Sequence, residues 1–299
     1  MDVFLTGATG YIGTVVAEKL LARGDTVIGL ARSVGAADTL RDRGIQPVSG
    51  DLDRPGDLTA IAYAADAVVH LGFQWGSDVT STILAERRVV KALMVGVAGR
   101  DAPFLFPGGT SVLGDTGNTV FDEETPIAPH PLAERLDTER LVLDAPDVHG
   151  VVIRAPNVYG RGDGQALFAA LRQAGKSLAG IPFSEGAGDR LWSFVHVDDL
   201  ADLFMLAIDH AAPYELFHAR AQSGLRTRDI AAAVSNGMGG EGRTMELPLV
   251  ELRPMFPVSA LADYWSINSQ SSRDKAEGLL GWRHQHLDML GEVARFRPN

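Results

Sequence analysis

The chain has 299 residues, 45% hydrophobic and 22% charged, enough apolar material for a full core beneath a polar surface. A net charge of −11 repels phosphates, so neither nucleic acid nor an anionic membrane is an expected partner, and the absence of cysteine excludes disulfides, thiolate catalysis and sulfur-ligated metals. The first apolar run begins at Val3, leaving no room for a signal peptide, and no apolar stretch approaches the roughly 18 residues of a membrane helix. A cytoplasmic globular protein is expected.

Val3–Thr6 reads as a buried strand, and Tyr11–Arg23 as a helix with Ile12, Val15, Val16 and Leu20 on one face. Arg23 and Gly24 end that helix, a cation in its last turn and a glycine just beyond. Strands follow at Thr26–Leu30, Gln46–Ser49 and Ala67–Leu71, then a long helix over Thr80–Arg100. Phe104–Phe106 gives a fifth strand, Leu132–Leu143 a helix and Val151–Arg154 a sixth strand. This alternation predicts an α/β fold, a doubly wound parallel sheet of Rossmann type with a smaller C-terminal substrate lobe.

After Gly160 the pattern is less regular. Ala166–Gln173 reads as a helix, Ala174–Asp189 as a glycine-bearing loop and Trp192–Val197 as a strand. Leu200–Asp209 is a helix with Asp198 and Asp199 at its positive end, followed by a strand at Tyr214–Ala219 and a helix at Arg228–Val234. The dinucleotide domain is expected over 1–160 and about 190–215, the lobe over about 161–189 and 216–299. Between Leu247 and Asn268 stand Pro248, Pro254, Phe256, Pro257, Tyr264 and Trp265. A substrate-covering lid and an ordinary surface connection fit that composition equally.

The run Thr6-Gly7-Ala8-Thr9-Gly10-Tyr11-Ile12-Gly13 lies between the first strand and the first helix. Gly7 permits a tight turn, Gly10 lets backbone approach a pyrophosphate, and Gly13 lets the helix pack closely. Thr9, Tyr11 and Ile12 complete this phosphate-binding helix start. The cofactor's second phosphate is read at the end of the second strand. There Arg32 stands 19 positions past Gly13, with Ser33 next to it, where NAD-binding sites usually carry an acid. With no carboxylate to repel a 2′-phosphate, the expected cofactor is NADP, used as NADPH. Asp51 and Leu52 follow the third strand, where a carboxylate can accept from the adenine amino group or simply cap a turn. Leu71 and Gly72 end the fourth strand and leave space for the cofactor.

These residues, with Arg154–Gly160, Phe194–Ala201 and Leu280-Gly281-Trp282, resemble the extended short-chain dehydrogenase/reductases, the NAD(P)-dependent epimerase/dehydratase group. The resemblance implies that Pro156, Asn157 and Val158 lie by the nicotinamide, and that the C-terminal third builds a substrate lobe. It also implies a Ser/Thr, a Tyr and a Lys four residues on. Here Gly109 takes the hydroxyl's place beside Thr110 and Ser111, Pro131 the tyrosine's and Arg135 the lysine's. Proline has no titratable group and arginine stays charged, so neither acts as an acid. The departure resembles the atypical ketoreductases of actinobacterial antibiotic pathways. Relatives that pair do so through the helices at Thr80–Arg100 and Leu132–Leu143, which makes a homodimer an open expectation.

Hydride transfer needs mainly a cofactor aligned with an electrophilic carbon. A lost general acid costs about 10²–10⁴ in rate, which a substrate hydroxyl, or a water held by Thr110 or Ser111, can offset. The expected activity is NADPH-dependent reduction of a small-molecule aromatic or polyketide-type ketone. A non-catalytic NADP-binding redox sensor and a sugar-nucleotide epimerase or dehydratase are the alternatives. Phe73, Trp75, Trp192, Phe256, Tyr264 and Trp265 are candidates for the pocket wall, with core packing as the plain alternative. His196 and His130 are candidate acids; for His196, fixing the strand-to-helix turn is the favoured role. The eight histidines show no metal-ligand spacing.

Overall fold

The computed structural model describes residues 1–74, 78–162, 164, 166–256 and 258–297. Strand and helix alternate through the first half: β1 (Asp2–Thr6), α1 (Tyr11–Arg23), β2 (Thr26–Ala31), α2 (Val34–Asp42), β3 (Gln46–Ser49), α3 (Leu58–Ala64) and β4 (Ala67–His70). Then come α4 (Val79–Val97), β5 (Arg100–Gly109), α5 (Leu136–Leu143) and β6 (Val148–Ala155). The second half contains β7 (Asn157–Tyr159), α6 (Ala166–Lys176), β8 (Ile181–Ser184), β9 (Leu191–His196), α7 (Val197–His210) and β10 (Glu215–His218). It continues with β11 (Gln222–Arg226), α8 (Thr227–Gly237), β12 (Thr244–Leu247), α9 (Leu249–Leu252), α10 (Ser259–Trp265), α11 (Asp274–Leu280) and α12 (Met289–Arg295).

Seven parallel strands form the main sheet in the order β10-β6-β5-β4-β1-β2-β3. The period of two in β1 builds both faces. Val3 and Leu5 join the core under α1 and α7, while Phe4 joins the core under α3 and α4. This is the expected doubly wound Rossmann fold.

Several expected boundaries move. The long helix stops at Val97, because Gly99 adopts φ +69° and Arg100 begins β5. Arg100 then caps α3, its guanidinium donating to the carbonyls of Tyr63 (2.6 Å) and Ala65 (2.9 Å). The helix expected over Leu132–Leu143 is a 3₁₀ turn, Pro131–Arg135, running into α5. The expected loop Ala174–Asp189 contains β8, which pairs with β12.

The two parts of the chain interleave differently from the expected division. Glu215–His218 is the edge strand of the main sheet, although 216 was the expected start of the lobe. Leu191–His196 instead lies in a small sheet ordered β11-β9-β7. A separate core of Phe168, Phe183, Trp192, Phe194, Ile230, Leu252, Phe256 and Trp265 supports this second part.

Two buried polar anchors lock the layers. The fully buried Asp199 carboxylate accepts from the N–H groups of Gln285 and His286, both at 3.0 Å, and Trp282 Nε1 donates to the Asp199 carbonyl. Across β6, Arg154 Nε donates to Glu139 at 2.8 Å with both side chains buried. Removing one member of such a pair strands a charge and costs about 3–5 kcal/mol, whereas replacing both by apolar groups is often neutral. We therefore expect Arg154→Met to lower the urea unfolding midpoint sharply and Arg154→Met/Glu139→Leu to recover most of the loss.

Candidate active site

The glycine run forms the turn the sequence predicts, for reasons the packing makes specific. Gly7 has φ +73°, and a Cβ there would lie 2.5 Å from the Leu71 carbonyl and 2.7 Å from the Gly72 nitrogen. A Cβ on Gly13 would lie 2.1 Å from the Gly7 oxygen. Any side chain would push the turn off the end of β4 or off α1. Gly10 N-caps α1 without a side-chain bond, and the N–H groups of Ile12 and Gly13 have no acceptor among the described residues. The positive end of the helix is thus open to an anion.

A buried brace fixes that end of the sheet. Gly72 N–H donates to Thr6 Oγ1 at 2.9 Å, and the same hydroxyl is hydrogen-bonded to His70 Nδ1 at 2.7 Å. Burial holds His70 neutral, lowering its pKa to about 4.

The helix start opens into a cavity of about 520 Å³ that collects residues from both halves of the chain. Gly10, Tyr11, Ile12, Gly13, Leu71 and Gly72 line one end, and Pro156 and Asn157 flank it. Thr110 and Ser111 lie on its floor, beside Gly108 and Gly109. Thr110 Oγ1 and Asn157 Nδ2 are buried and, apart from the Tyr264 phenol, meet no hydrogen-bond partner among the described residues, so a ligand oxygen could satisfy them. The glycine cradle, the uncapped helix and these two buried atoms fit a dinucleotide whose reactive end points into the cavity.

The remaining predicted cofactor residues lie outside the lining. Gly7 forms the turn beneath, and Thr9 is exposed on it. Arg32 and Ser33 are exposed after β2; Ser33 caps α2 by accepting from Ala36 N–H at 3.2 Å. Arg32 has no ion-pair partner among the described residues. Asp51 accepts from Asp53 N–H at 3.1 Å, the turn-capping alternative, with Leu52 packed towards Gly72. Val158 is wholly buried in the core, so only its main chain can meet a ligand.

One charged pair faces the cavity. Arg135, at the end of the 3₁₀ turn, donates through Nε and Nη2 to the two oxygens of Glu86 at 2.9 and 2.6 Å, and through Nη2 to the Pro107 carbonyl at 2.7 Å. Its guanidinium also lies over the rings of Phe106 and Phe73, at 5.2 and 5.8 Å. Burial works against the charge, but Glu86 outweighs it, and the Arg135 pKa is raised. Glu86 was not singled out from the sequence. Its signal is an acid on the stripe of α4 that carries Ile83 and Val90, where an apolar residue belongs.

The cavity is lined by Tyr11 and Tyr264 and, among the described residues, by no lysine. Tyr11 donates to the Gly160 carbonyl at 2.8 Å. Of the expected aromatic wall, Phe73 and Tyr264 line the cavity. Trp192, Phe256 and Trp265 are instead core residues of the lobe, and Trp75, like Pro257, lies outside the described residues. Within the segment from Leu247 to Asn268, Leu249–Leu252 forms α9 and Ser259–Trp265 forms α10, and Leu261 and Tyr264 of α10 line the cavity. His130 Nε2 is 2.7 Å from the Val112 carbonyl and His196 Nδ1 accepts from Asp198 N–H at 3.1 Å, so both serve turns. Among the described residues no group of three or more His, Asp or Glu is placed to hold a metal, and no helix is long and apolar enough to cross a membrane.

Residues 3–218 match the NAD dependent epimerase/dehydratase family. The chain belongs to that family. It is 29% identical over 299 residues to the uncharacterized protein YLL056C of Saccharomyces cerevisiae, spanning 98% of both chains. It is 28% identical to the 3-diazoavenalumate denitrifying reductase of a Streptomyces species, over 96% of this chain and 97% of that one. It shares the same identity with the 4-hydroxy-2-methyl-3-oxo-4-farnesyl-3,4-dihydroquinoline-1-oxide ketoreductase of Stigmatella aurantiaca, over 73% of this chain and 67% of the relative. In fold it resembles the UDP-glucuronic acid 4-epimerase of Bacillus cereus, solved in complex with NAD, with a TM-score of 0.74 at 18% identity, covering 99% and 95% of the two chains.

The buried histidines give the fold an acid limit. Burial lowers His70 to about 4 and His218 to about 3, against an unfolded value near 6.5. As pH falls below 6.5 the unfolded chain takes up two protons that the folded chain refuses, so stability is lost as pH falls. Each contributes about 1.4 kcal/mol per pH unit. The melting temperature is expected to drop steadily from pH 6.5 to 5, and His70→Gln to flatten that slope.

Proposed function

We propose that the chain is an NADPH-dependent ketoreductase for a neutral, apolar ketone, of the aromatic or polyketide type found in antibiotic pathways. The observation that carries this reading is the charge balance of the cavity. Among the described residues Arg135 is the sole cation lining it, and Glu86 neutralises that cation in a bidentate fork. The rest of the wall is uncharged, apolar at Val79, Ile83, Leu132, Leu167 and Leu261 and neutral polar at Thr110, Ser111 and Asn157. A sugar nucleotide would bury its diphosphate without a free positive partner, which is costly. A flat neutral ketone meets no such penalty.

The amide groups of the α1 start would hold the pyrophosphate, Arg32 and Ser33 the 2′-phosphate, and Asp51 the adenine amino group. When bound, the reduced nicotinamide supplies hydride to the ketone carbon. Thr110 and Ser111 would orient the ketone oxygen from the cavity floor. The Tyr–Lys pair is replaced at Pro131 and Arg135, so the proton comes from elsewhere, and a hydroxyl adjacent to the carbonyl can provide it internally. The names of the Streptomyces and Stigmatella relatives, a reductase and a ketoreductase, support this class of reaction. An epimerase depends more on the proton shuttle, since it must first oxidise an alcohol.

The test is the loss of NADPH absorbance on addition of 8-hydroxy-1-tetralone, whose hydroxyl lies against its carbonyl. Turnover with NADPH well above that with NADH is expected, and Arg32→Asp should raise KM for NADPH at least tenfold. If no ketone consumes NADPH while the dinucleotide still binds, the sensor reading takes its place.

A further inference from the structure

We infer that Tyr264 is the proton donor to the substrate's carbonyl oxygen, a phenol brought in from the substrate lobe. This deepens the ketoreductase reading and rests on it. Tyr264 stands on α10, more than a hundred residues beyond the helix on which the family's resemblance places its tyrosine. It lines the cavity beside Thr110, Ser111 and Asn157. Thr110 Oγ1 and Asn157 Nδ2 are buried and make no other hydrogen bond among the described residues, and both side chains turn to the Tyr264 phenol, a contact that favours its ionised form. A carbonyl oxygen entering this corner would meet a hydroxyl, an amide and a phenol together.

The phenol is fixed in place. Its ring lies edge-on to the fully buried Trp192 at 4.7 Å, and its oxygen is 2.7 Å from Ser269 Oγ. Burial outweighs its hydrogen bonds and raises the pKa, so the group is protonated and available as a donor near neutral pH.

The step balances without any further reactant. The carbonyl carbon gains hydride from the reduced nicotinamide, and the C=O π pair moves to oxygen, which takes the phenolic proton. The ketone is reduced to an alcohol and NADPH oxidised to NADP⁺. The tyrosinate left behind accepts a hydrogen bond from Ser269 until water returns its proton.

Two substrates separate this role from a structural one. 1-Tetralone has no internal donor, whereas 8-hydroxy-1-tetralone carries one. Tyr264→Phe is expected to lower kcat for 1-tetralone by about 10² or more, and that for the hydroxylated ketone by less than about tenfold. Removing one hydrogen bond should also weaken 1-tetralone binding to the NADP⁺-loaded protein by about two- to tenfold. Tetralin, which has no carbonyl, should bind both proteins alike. An equal loss on both ketones, or no loss with unchanged 1-tetralone affinity, overturns the assignment. If the unaltered protein reduces neither ketone, the ketoreductase reading fails and the binding arm alone decides. Selective loss of 1-tetralone affinity over tetralin then sustains the phenol's contact, and equal or absent binding overturns it. Should Tyr264→Phe not fold, Ser269→Ala removes only the phenol's partner. It should slow 1-tetralone more than its hydroxylated analogue, and equal rates overturn the proposal.

Discussion

The Arg135–Glu86 fork constrains everything the cavity can do. A guanidinium cannot release its proton at any pH the fold survives, and Glu86 is almost wholly buried against it. Leaving either charge alone in that setting would be costly, so the two side chains hold each other in one geometry. Nη2 also reaches the Pro107 carbonyl, which ties the 3₁₀ turn to the end of β5. An arginine in this fork differs from a lysine with three freely rotating donors. It sets the shape of the cavity and cancels a carboxylate, and it has little capacity left to tune a neighbouring acid. Chemistry that needs a proton must find it on another wall.

The same fork explains why the walls are rigid enough to matter. Pro107 ends one side of the floor, and Gly108 to Ser111 continue it, close to the turn that Gly7 presses onto Leu71. Thr6, His70 and Gly72 brace that contact from beneath. On the opposite side the lobe is anchored through Asp199, whose buried carboxylate grips the C-terminal tail. The cavity is therefore built between braced layers, with Thr110 and Asn157 on its lining.

The glycine turn was legible in the sequence because its determinants are local. Gly7, Gly10 and Gly13 act on one another within a single turn, and the strands on either side show a period of two. The fold was legible for the same reason, apart from elements whose buried face is thin. α2 buries only Leu40, and α3 only Leu58 and Ala62, too little to produce a stripe. Other misreadings came from contacts between residues far apart in the chain. Trp192 and Trp265 looked like a pocket wall because aromatics suit one, yet they meet edge-on, ring centres 5.0 Å apart, inside the lobe core. Glu86 escaped notice because its partner lies 49 positions away.

That contrast bears on what the fold itself can tell. The B. cereus enzyme for a UDP-sugar shares this architecture at 18% identity, which is a statement about the scaffold alone. The scaffold delivers a dinucleotide turn, a floor after β5 and a lobe above it. What varies is which side chains meet in the space between, and those come from α4, the 3₁₀ turn before α5, β7 and α10, segments with no local pattern in common. The charge that Arg135 brings to the wall is cancelled there by Glu86. Tyr264 on α10 is held edge-on against the fully buried Trp192, with 4.7 Å between the ring centres. The character of the cavity wall is thus written in long-range pairs, which is why it emerges from the assembled fold and not from the glycine motif that announces the family.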